Sequence, residues 1–271
     1  MGKKIGLHIR PAATLTATIT TALELAVPLF QTFTPPNHKR YADADLDQYL
    51  SLRRNHFQEL YLHGSYWINL CRSDQRNLNT IQRELRLARR LEFTHFIIHP
   101  GNAEQSRAAG IEILAQALNQ LLAIPAPVKL VLENTAHGNY TVGSDLQDFA
   151  ALKKLLRYPE RLFFCLDTSH AYAYGYDLSD RTQQADFIDL VDATMGCANL
   201  VLIHLNDTHE TLGSKIDKHL VPGAGQIGQA ALQQLVTDPR LMHLPLIMEL
   251  PPLPDLAAEK AVLIEINRWF S

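Results

Sequence analysis

The chain has 271 residues, of which 46% are hydrophobic and 20% are charged, and its formal net charge is −3. This length fits one α/β barrel or two small domains, and the composition excludes disordered, collagen-like and coiled-coil proteins. No stretch approaches the ~20 apolar residues that cross a bilayer, and Arg10 interrupts the N-terminus before a signal-peptide apolar region can form. We therefore expect no membrane segment and no secretion.

Cysteine content and charge distribution indicate the cellular compartment and the kind of binding partner. The three cysteines are an odd number without a C-x-x-C pair, which argues against a disulfide framework or a thiolate zinc site and favours the reducing cytoplasm. Residues 1–90 carry 13 Lys and Arg against 7 Asp and Glu, whereas the remaining residues carry 12 against 21. The positive first third permits contact with a polyanion, although the overall balance is less basic than in a typical nucleic-acid module.

Short apolar runs alternate along the chain with segments of helical periodicity, for instance Asp74–Leu91 and Ala108–Leu122, as expected for repeated β-α units. The predicted strands, in chain order, are Lys4–Ile9, Val27–Phe33, Glu59–Leu62, His95–Ile98, Val128–Leu132, Leu162–Leu166, Leu200–His204 and Leu246–Met248. Eight such units predict an α/β fold, a parallel (β/α)8 TIM barrel that forms a single domain over residues 1–271. The alternative is an open doubly wound sheet, but such a sheet usually carries a Gly-rich phosphate turn after its first strand, and residues 6–10 contain no such turn.

Metal-binding residue types stand at six successive predicted strand ends, from the third strand to the eighth. Taken singly, such residues are commonly helix caps, salt-bridge partners or packed histidines. Their coincidence predicts a metal centre, because the strand ends of a barrel meet at one rim and carboxylates gathered there repel each other without cations. The candidate ligands are His63, His99, Glu133, Asp167, His170, His204, Asp217, His219 and Glu249.

The mixture of ligands indicates the kind of metal. Five imidazoles and four carboxylates supply more nitrogen than magnesium or calcium sites use, and they supply no sulfur. Zinc fits best, with manganese and iron as alternatives. Nine side chains are too many for one tetrahedral ion, so we expect two or three ions that share a bridging carboxylate.

The motifs around these residues follow a characteristic order. They read H-G-S-Y-x-I-N-L, H-P-G, E-N-T-A, L-D-T-S-H-A-Y-A-x-G-Y-D, H-L-N-D, G-S-x-x-D-x-H with G-x-G-x-I-G, and M-E-L-P. This series resembles the endonuclease IV family of apurinic/apyrimidinic (AP) endonucleases over nearly the whole chain. The resemblance implies a TIM barrel of the sugar-isomerase-like superfamily that holds three zinc ions. It implies three ligand sets, namely His63, His99 and Glu133; Glu133 as a bridge with Asp167, His204 and Glu249; and His170, Asp217 and His219.

The resemblance also implies a reaction and a substrate. The expected activity is hydrolysis of the DNA phosphodiester 5′ to an abasic site, in base excision repair, on double-stranded DNA and by a monomeric protein. Metal ions in such a cluster activate a water and neutralise phosphate charge, so no side-chain nucleophile is required. Glu249 is the candidate for orienting or deprotonating the attacking water, and Glu133 sets the spacing of the ions as their bridge.

Contacts to DNA are expected from three loops. Tyr66 matches the aromatic residue of the family that enters the base stack, and its alternative is a tyrosine packed at the rim. The loop after the second strand offers His38, Lys39 or Arg40 as a cationic partner, among which we favour Lys39 and Arg40. The remaining phosphate contacts are expected from Arg10 and Arg72, and the tryptophans Trp67 and Trp269 are interpreted as packing residues.

Two other functions compete with the nuclease. Sugar isomerases and epimerases share the barrel and carry rim metals, but the His-rich third ligand set has no obvious use in isomerisation. A divergent family member acting on another phosphoester is the second alternative. It is favoured by the altered loops after strands one and two. In the first of them, Arg10-Pro-Ala-Ala-Thr14 stands where the family has the glycine-rich S-A-x-G-G, which stiffens a segment that usually approaches nucleic acid.

Overall fold

Ten β-strands form in the computed structural model, which describes residues 2–34, 41–124 and 126–270. Numbered in chain order, they are β1 Ile5–His8, β2 Phe30–Phe33, β3 Tyr61–His63, β4 His95–Ile98, β5 Gly101–Asn102, β6 Lys129–Glu133, β7 Thr141–Val142, β8 Leu162–Asp167, β9 Leu200–His204 and β10 Leu246–Met248. All eight predicted strands are present, and several begin later than expected. Strand β2, for example, starts at Phe30 and not at Val27, because its ladder with β1 begins at the pair Leu7 and Phe30.

The eight long strands close into a barrel in the order β1-β10-β9-β8-β6-β4-β3-β2. Every neighbouring pair is parallel, including β1 with β10, whose pairing closes the ring. The predicted TIM barrel is therefore confirmed, and the open doubly wound alternative is excluded. The short strands β5 and β7 pair antiparallel beside the barrel; two residues each are too few to give a periodic signal in the sequence.

Nine α-helices connect the strands within the described residues. They are α1 Leu15–Glu24, α2 Asp43–His56, α3 Gln75–Arg90, α4 Arg107–Leu122, α5 Gln147–Lys153, α6 Thr168–Tyr174, α7 Gln184–Thr194, α8 Gln229–Thr237 and α9 Leu256–Arg268. Five of them begin at a side-chain cap, because a short oxygen-bearing side chain satisfies a backbone N–H of the first turn. These caps are Thr14, Asp74, Ser106, Asp167 and Asp255.

The barrel interior contains a ring of apolar and small side chains that lies directly below the rim. Its buried cluster consists of Leu29, Tyr61, Ile97, Val131, Cys165, Leu202 and Ile247. A second and larger core lies between the barrel and the helices, where Trp269 is packed as expected. Within the part of the chain that the structure describes, no helix has the length and apolarity required to cross a membrane.

Candidate metal centre

On each barrel strand, the residue two positions after the interior-ring residue is polar and lies at the rim. Because side chains alternate along a strand, residues two apart point to the same side. Each member of the interior ring is thus followed by a polar residue aimed along the barrel axis, and Gly6 of β1 is followed in the same way. This polar layer contains His8, Gln31, His63, His99, Glu133, Asp167, His204 and Glu249. Local alternation therefore assembles a complete ring of polar groups over an apolar floor.

The first ligand group lies where β3, β4 and β6 end. The Oε2 atom of Glu133 is 3.3 Å from Nε2 of His63 and 3.4 Å from Nε2 of His99. The other ring nitrogen of His63, Nδ1, donates to the carbonyl oxygen of Gly64 at 2.9 Å. This hydrogen bond leaves the lone pair of His63 on Nε2, the atom that faces Glu133.

The second group uses the other oxygen of the same glutamate. His204 places Nδ1 3.0 Å from Oε1 of Glu133, 3.7 Å from Oε2 of Glu249 and 3.9 Å from Oδ2 of Asp167. Asn206 donates to Oδ2 of Asp167 at 2.6 Å and so fixes that carboxylate. The two oxygens of Glu133 therefore face two different ligand groups, the geometry of a bridging carboxylate.

The third group joins α6 to the loop that follows β9. The Oδ1 atom of Asp217 lies 3.2 Å from Nε2 of both His170 and His219, and these two nitrogens are 3.3 Å apart. Nδ1 of His170 donates to the carbonyl oxygen of Asn134 at 2.8 Å, which leaves its lone pair on Nε2. Two imidazole nitrogens at this separation can share one hydrogen, or both can bind one metal ion.

The electrostatics of the centre are those of a cation site. Burial alone would raise the pKa of the Glu133 carboxyl, but the charges of His204 and His99 hold this pKa well below its usual value. Burial would likewise lower the pKa of His170, yet Asp167 and other acidic neighbours raise it well above its usual value. Protons on histidines therefore balance the carboxylates when no metal is bound. Clustered imidazole and carboxylate atoms within 4.8 Å of one another can hold metal ions in place of these protons.

The loop after β9 is held by one buried carboxylate. Asp207 is fully buried and accepts backbone N–H groups from Thr208, Gly223, Gly225, Ile227 and Gly228. A side chain at Gly225 would collide with the carbonyl oxygen of Thr208, so this close approach requires glycine. The G-x-G-x-I-G motif is therefore needed to fold the loop that carries Asp217 and His219.

The predicted DNA contacts lie in different settings. Tyr66 is 64% exposed beside the metal centre, with its ring centroid 5.5 Å from that of His63. Arg10 is exposed and lines a cavity of about 360 Å³ together with Tyr66 and the third ligand group. Arg72 donates to the carbonyl oxygen of Asn102 and is 3.7 Å from Glu104, which partly neutralises its charge. Lys39, Arg40 and the alternative His38 lie outside the described residues.

Two features of the site were not predicted from the sequence. Trp67 is 90% exposed, so its interpretation as a packing residue is wrong. Ser65, directly before Tyr66, donates its backbone N–H to the buried carboxyl group of Glu84, and the two aromatic residues that follow are exposed. Gln31, fully buried in β2, belongs to the polar layer itself. Its position two residues after an interior leucine is the signal that could have identified it.

Comparison with known proteins places this centre in a family. A family model described as a xylose isomerase-like TIM barrel matches residues 20–266. A probable endonuclease 4 from Halorhodospira halophila (strain DSM 244 / SL1) is 33% identical over 265 residues, which cover 93% of this chain and 89% of that relative. Endonuclease IV from Thermus thermophilus has a crystal structure that matches with a TM-score of 0.84 at 28% identity, covering 98% of both chains.

The same barrel also occurs in a sugar epimerase. The structure of an L-ribulose 3-epimerase matches with a TM-score of 0.75, covering 100% of this chain and 95% of that chain. Its identity of 15% shows a shared fold alone. The resemblance drawn from the motifs is confirmed by the closer relatives, and the chain belongs to the endonuclease IV family of nucleases, within the xylose isomerase-like TIM barrels.

Proposed function

We propose that this protein is a zinc-dependent AP endonuclease, which hydrolyses the DNA phosphodiester 5′ to an abasic site in base excision repair. The observation that carries the proposal is the convergence of nine ligand side chains in three groups, two of which share Glu133. Family membership supplies the second support, since the relatives are named as endonucleases. The proposed substrate is double-stranded DNA that contains abasic sites.

The donor atoms support three zinc ions. His63, His99 and Glu133 would hold one ion, and His170, Asp217 and His219 would hold another. A third ion would be held by Asp167, His204 and Glu249, with Glu133 as a shared ligand. Five imidazoles in the set favour zinc, and manganese or iron are the possible substitutes. When bound, such ions lower the pKa of a water and neutralise negative charge on a phosphodiester.

Glu249 is the side chain proposed to act on the attacking water. Burial alone would raise the pKa of its carboxyl, but His204, His8 and His219 hold this pKa below its usual value, so the group is ionised at neutral pH. One oxygen, Oε1, accepts a hydrogen bond from Gln31, whereas Oε2 faces His204 and His219. The carboxylate also lines the cavity at the rim. These contacts support a role for Glu249 in orienting a water or accepting its proton, in addition to its proposed role as a ligand.

The loop after β3 is proposed to open the duplex at the abasic site. Reaching a phosphate beside an abasic sugar requires unstacking, which costs a few kcal/mol and has to be offset by inserted side chains. Tyr66 and Trp67 present two exposed aromatic rings at the rim for this purpose. Arg10, on the wall of the same cavity, is proposed to contact phosphate. Lys39 and Arg40 stay predicted partners from the loop after β2.

The proposed setting is the reducing cytoplasm. All three cysteines are free thiols, and Cys71 and Cys165 are buried. Burial raises the pKa of the Cys165 thiol to about 12, which keeps it unreactive inside the barrel. A protein with this pattern needs no oxidising compartment for its stability.

An incision assay tests the proposal. Zinc-loaded protein is incubated with a duplex that carries one synthetic abasic site, with the matched intact duplex as control, and the products are resolved by length. We expect a single cut 5′ to the abasic site and no cut in the intact duplex. Isomerisation of free sugars and hydrolysis of small phosphoesters are measured in parallel. Turnover of either in the absence of incision would contradict the proposal and favour the corresponding alternative.

A further inference from the structure

The side chain of Gln31 contacts two of the proposed ligand residues within the polar layer. It lies in β2, is fully buried, and is not one of the nine proposed ligands. Its Oε1 atom is 2.8 Å from Nε2 of His204, and its Nε2 atom is 2.7 Å from Oε1 of Glu249. The same nitrogen is 2.7 Å from Nδ1 of His8. One amide thus makes contacts with residues of β1, β9 and the end of β10.

The carboxylate of Glu249 determines which way this amide points. An ionised carboxylate accepts hydrogen bonds and cannot donate them, so it has to face the NH2 group of Gln31. The opposite orientation would set the amide oxygen against Oε1 of Glu249 at 2.7 Å and leave two acceptors in contact. The oxygen of Gln31 therefore faces His204.

This orientation determines the tautomer of His204. An amide oxygen only accepts, so Nε2 of His204 must carry the hydrogen that Gln31 receives. The lone pair of a neutral ring is then on Nδ1. That atom is the one directed at Glu133, at 3.0 Å. A histidine that ligates a metal through one nitrogen is commonly fixed in this manner through the other.

The ring of His8 closes the other side of the amide. Its Nδ1 atom lies 2.7 Å from the amide nitrogen of Gln31 and 3.2 Å from Oε1 of Glu249, and the ring packs against Phe33 with 4.1 Å between ring centroids. Gln31 is therefore held on both sides, and its side chain cannot rotate without breaking several buried hydrogen bonds. Losing one partner of a buried hydrogen bond leaves an unsatisfied polar group, which is more costly than losing the bond alone.

We propose that Gln31 is a positioning residue, which makes Nδ1 the ligand atom of His204 and at the same time aims Glu249. With Oε1 of Glu249 occupied by the amide, the Oε2 atom is the one that remains directed toward His204 and His219. Gln31 thereby couples a metal ligand to the carboxylate that acts on water. This inference rests on the metal-dependent function proposed above.

Replacement of Gln31 by leucine tests the coupling. Leucine keeps a similar volume and leaves Nε2 of His204 and Oε1 of Glu249 without their partner. The matched control is Thr32→Val, at the next residue of β2, where the buried threonine hydroxyl has no hydrogen-bond partner among the described residues. Zinc affinity is measured by competition with a chromogenic chelator, and kcat and KM are measured on abasic duplex.

The expected result is specific to Gln31→Leu. One zinc equivalent should bind roughly 10–100-fold more weakly, the range found when hydrogen-bonded partners of metal ligands are removed. At saturating zinc, kcat should fall by about 10-fold or more while KM for the duplex stays within about 2-fold, since the Gln31 side chain is fully buried and presents no surface to a ligand. Thr32→Val should match the wild type in zinc affinity, kcat and KM. Wild-type affinity and kcat in Gln31→Leu would overturn the inference.

A measurement on the wild type keeps the test valid even if Gln31→Leu does not fold. In zinc-loaded protein with ¹⁵N-labelled histidine, NMR should show the hydrogen of His204 on Nε2. A hydrogen on Nδ1 would overturn the inference while incision remained intact. Failure of the wild type to bind zinc, or to cut abasic duplex when loaded, would instead contradict the proposed function.

Discussion

Glu133 is the residue on which most of the centre depends. It is fully buried, and each of its oxygens faces a different ligand group. We expect two to three zinc equivalents in protein purified without chelator. Glu133→Ala should remove about two of them, because it deletes a shared ligand, whereas His219→Ala should weaken about one.

Metal analysis by mass spectrometry after dialysis measures both variants. The control is His243→Ala, because His243 lies outside all ligand groups in the described part of the chain. Equal losses in Glu133→Ala and His219→Ala would contradict a bridging role for Glu133. A wild type with less than one equivalent of any transition metal after zinc reconstitution would contradict the metal centre itself.

Glu249→Gln tests the negative charge of this carboxylate separately from the shape of the side chain. The substitution keeps side-chain size but removes the acceptor that is ionised at neutral pH. We expect kcat to fall by at least ~10², the usual contribution of a general base or an orienting carboxylate, with DNA affinity nearly unchanged. Single-turnover incision and equilibrium binding measure the two quantities separately. Activity within a few-fold of the wild type would remove Glu249 from the mechanism.

The loop after β3 carries two exposed aromatic side chains, and its backbone is anchored by a hydrogen bond to a buried side chain. Glu84 accepts from the backbone of Ser65 and from the hydroxyl of Thr34 at the end of β2. The two loops that leave β2 and β3 are therefore tied together beneath Tyr66 and Trp67. A rigid base is what an inserted wedge requires, because movement of the wedge would reduce its contribution.

Removing the wedge should affect abasic DNA selectively. We expect Tyr66→Ala and Trp67→Ala each to weaken binding to abasic duplex more than to intact duplex, because a wedge acts only where the stack is opened. Base–aromatic contacts of this kind contribute roughly 1–3 kcal/mol per base. Fluorescence anisotropy on the two duplexes measures the difference. Ile264→Ala, an exposed apolar residue on α9, is the control, and equal weakening on both duplexes would contradict the wedge.

The loop after β9 depends on one internal anchor. Asp207→Asn replaces a carboxylate that accepts five backbone N–H groups by an amide that presents donors to some of them. We expect a loss of about 1–3 kcal/mol in the free energy of unfolding and faster proteolysis near residues 217–228. Urea denaturation and limited proteolysis measure these effects. Asp180→Asn, at a half-buried turn residue that accepts one backbone N–H group, should have a much smaller effect, and a stable Asp207→Asn would contradict the anchor.

For the whole molecule, the buried charge cluster predicts how stability depends on pH. The pKa values of His170 and His204 are raised, so their stabilisation is complete below about 6.5 and is lost as pH rises through the folded pKa values. The pKa of Glu133 is lowered, so its stabilisation is present above about 4.5 and is lost as pH falls. Metal-free protein should therefore be most stable between about pH 4.5 and 6.5.

Zinc should change this profile because it displaces the histidine protons. The increase in Tm on adding zinc should be larger at pH 8 than at pH 6, since fewer protons compete with the metal. Thermal melts with and without chelator across this range measure the effect. A zinc-induced increase in Tm that is independent of pH would show that these histidines are not the ligands.

Much of the fold and of the ligand set follows from local sequence. Each barrel strand is a short apolar run, and the ligand residues lie at the ends of these runs, where parallel strands meet at one rim. The series from His63 to Glu249 could therefore be proposed as ligands residue by residue, and their convergence at the rim is present in the structure. The ends of the strands were less predictable: β2 begins where its neighbour pairs with it, and pairing is a property of two segments distant in sequence. The single-domain organisation and the monomeric state stay predictions.

What the sequence by itself determined is the kind of residue at each strand end and, by alternation, the side of the strand on which it lies. What only the tertiary structure decided is how these residues meet one another. Gln31 is 173 residues from His204 and 218 residues from Glu249 along the chain, yet its amide contacts one ring nitrogen of His204 and one carboxylate oxygen of Glu249. Trp67 could be assigned to solvent only when its neighbours in space were known. The physical reason is that hydrogen-bond direction and exposure depend on the closed barrel, whereas strand periodicity depends only on the local chain.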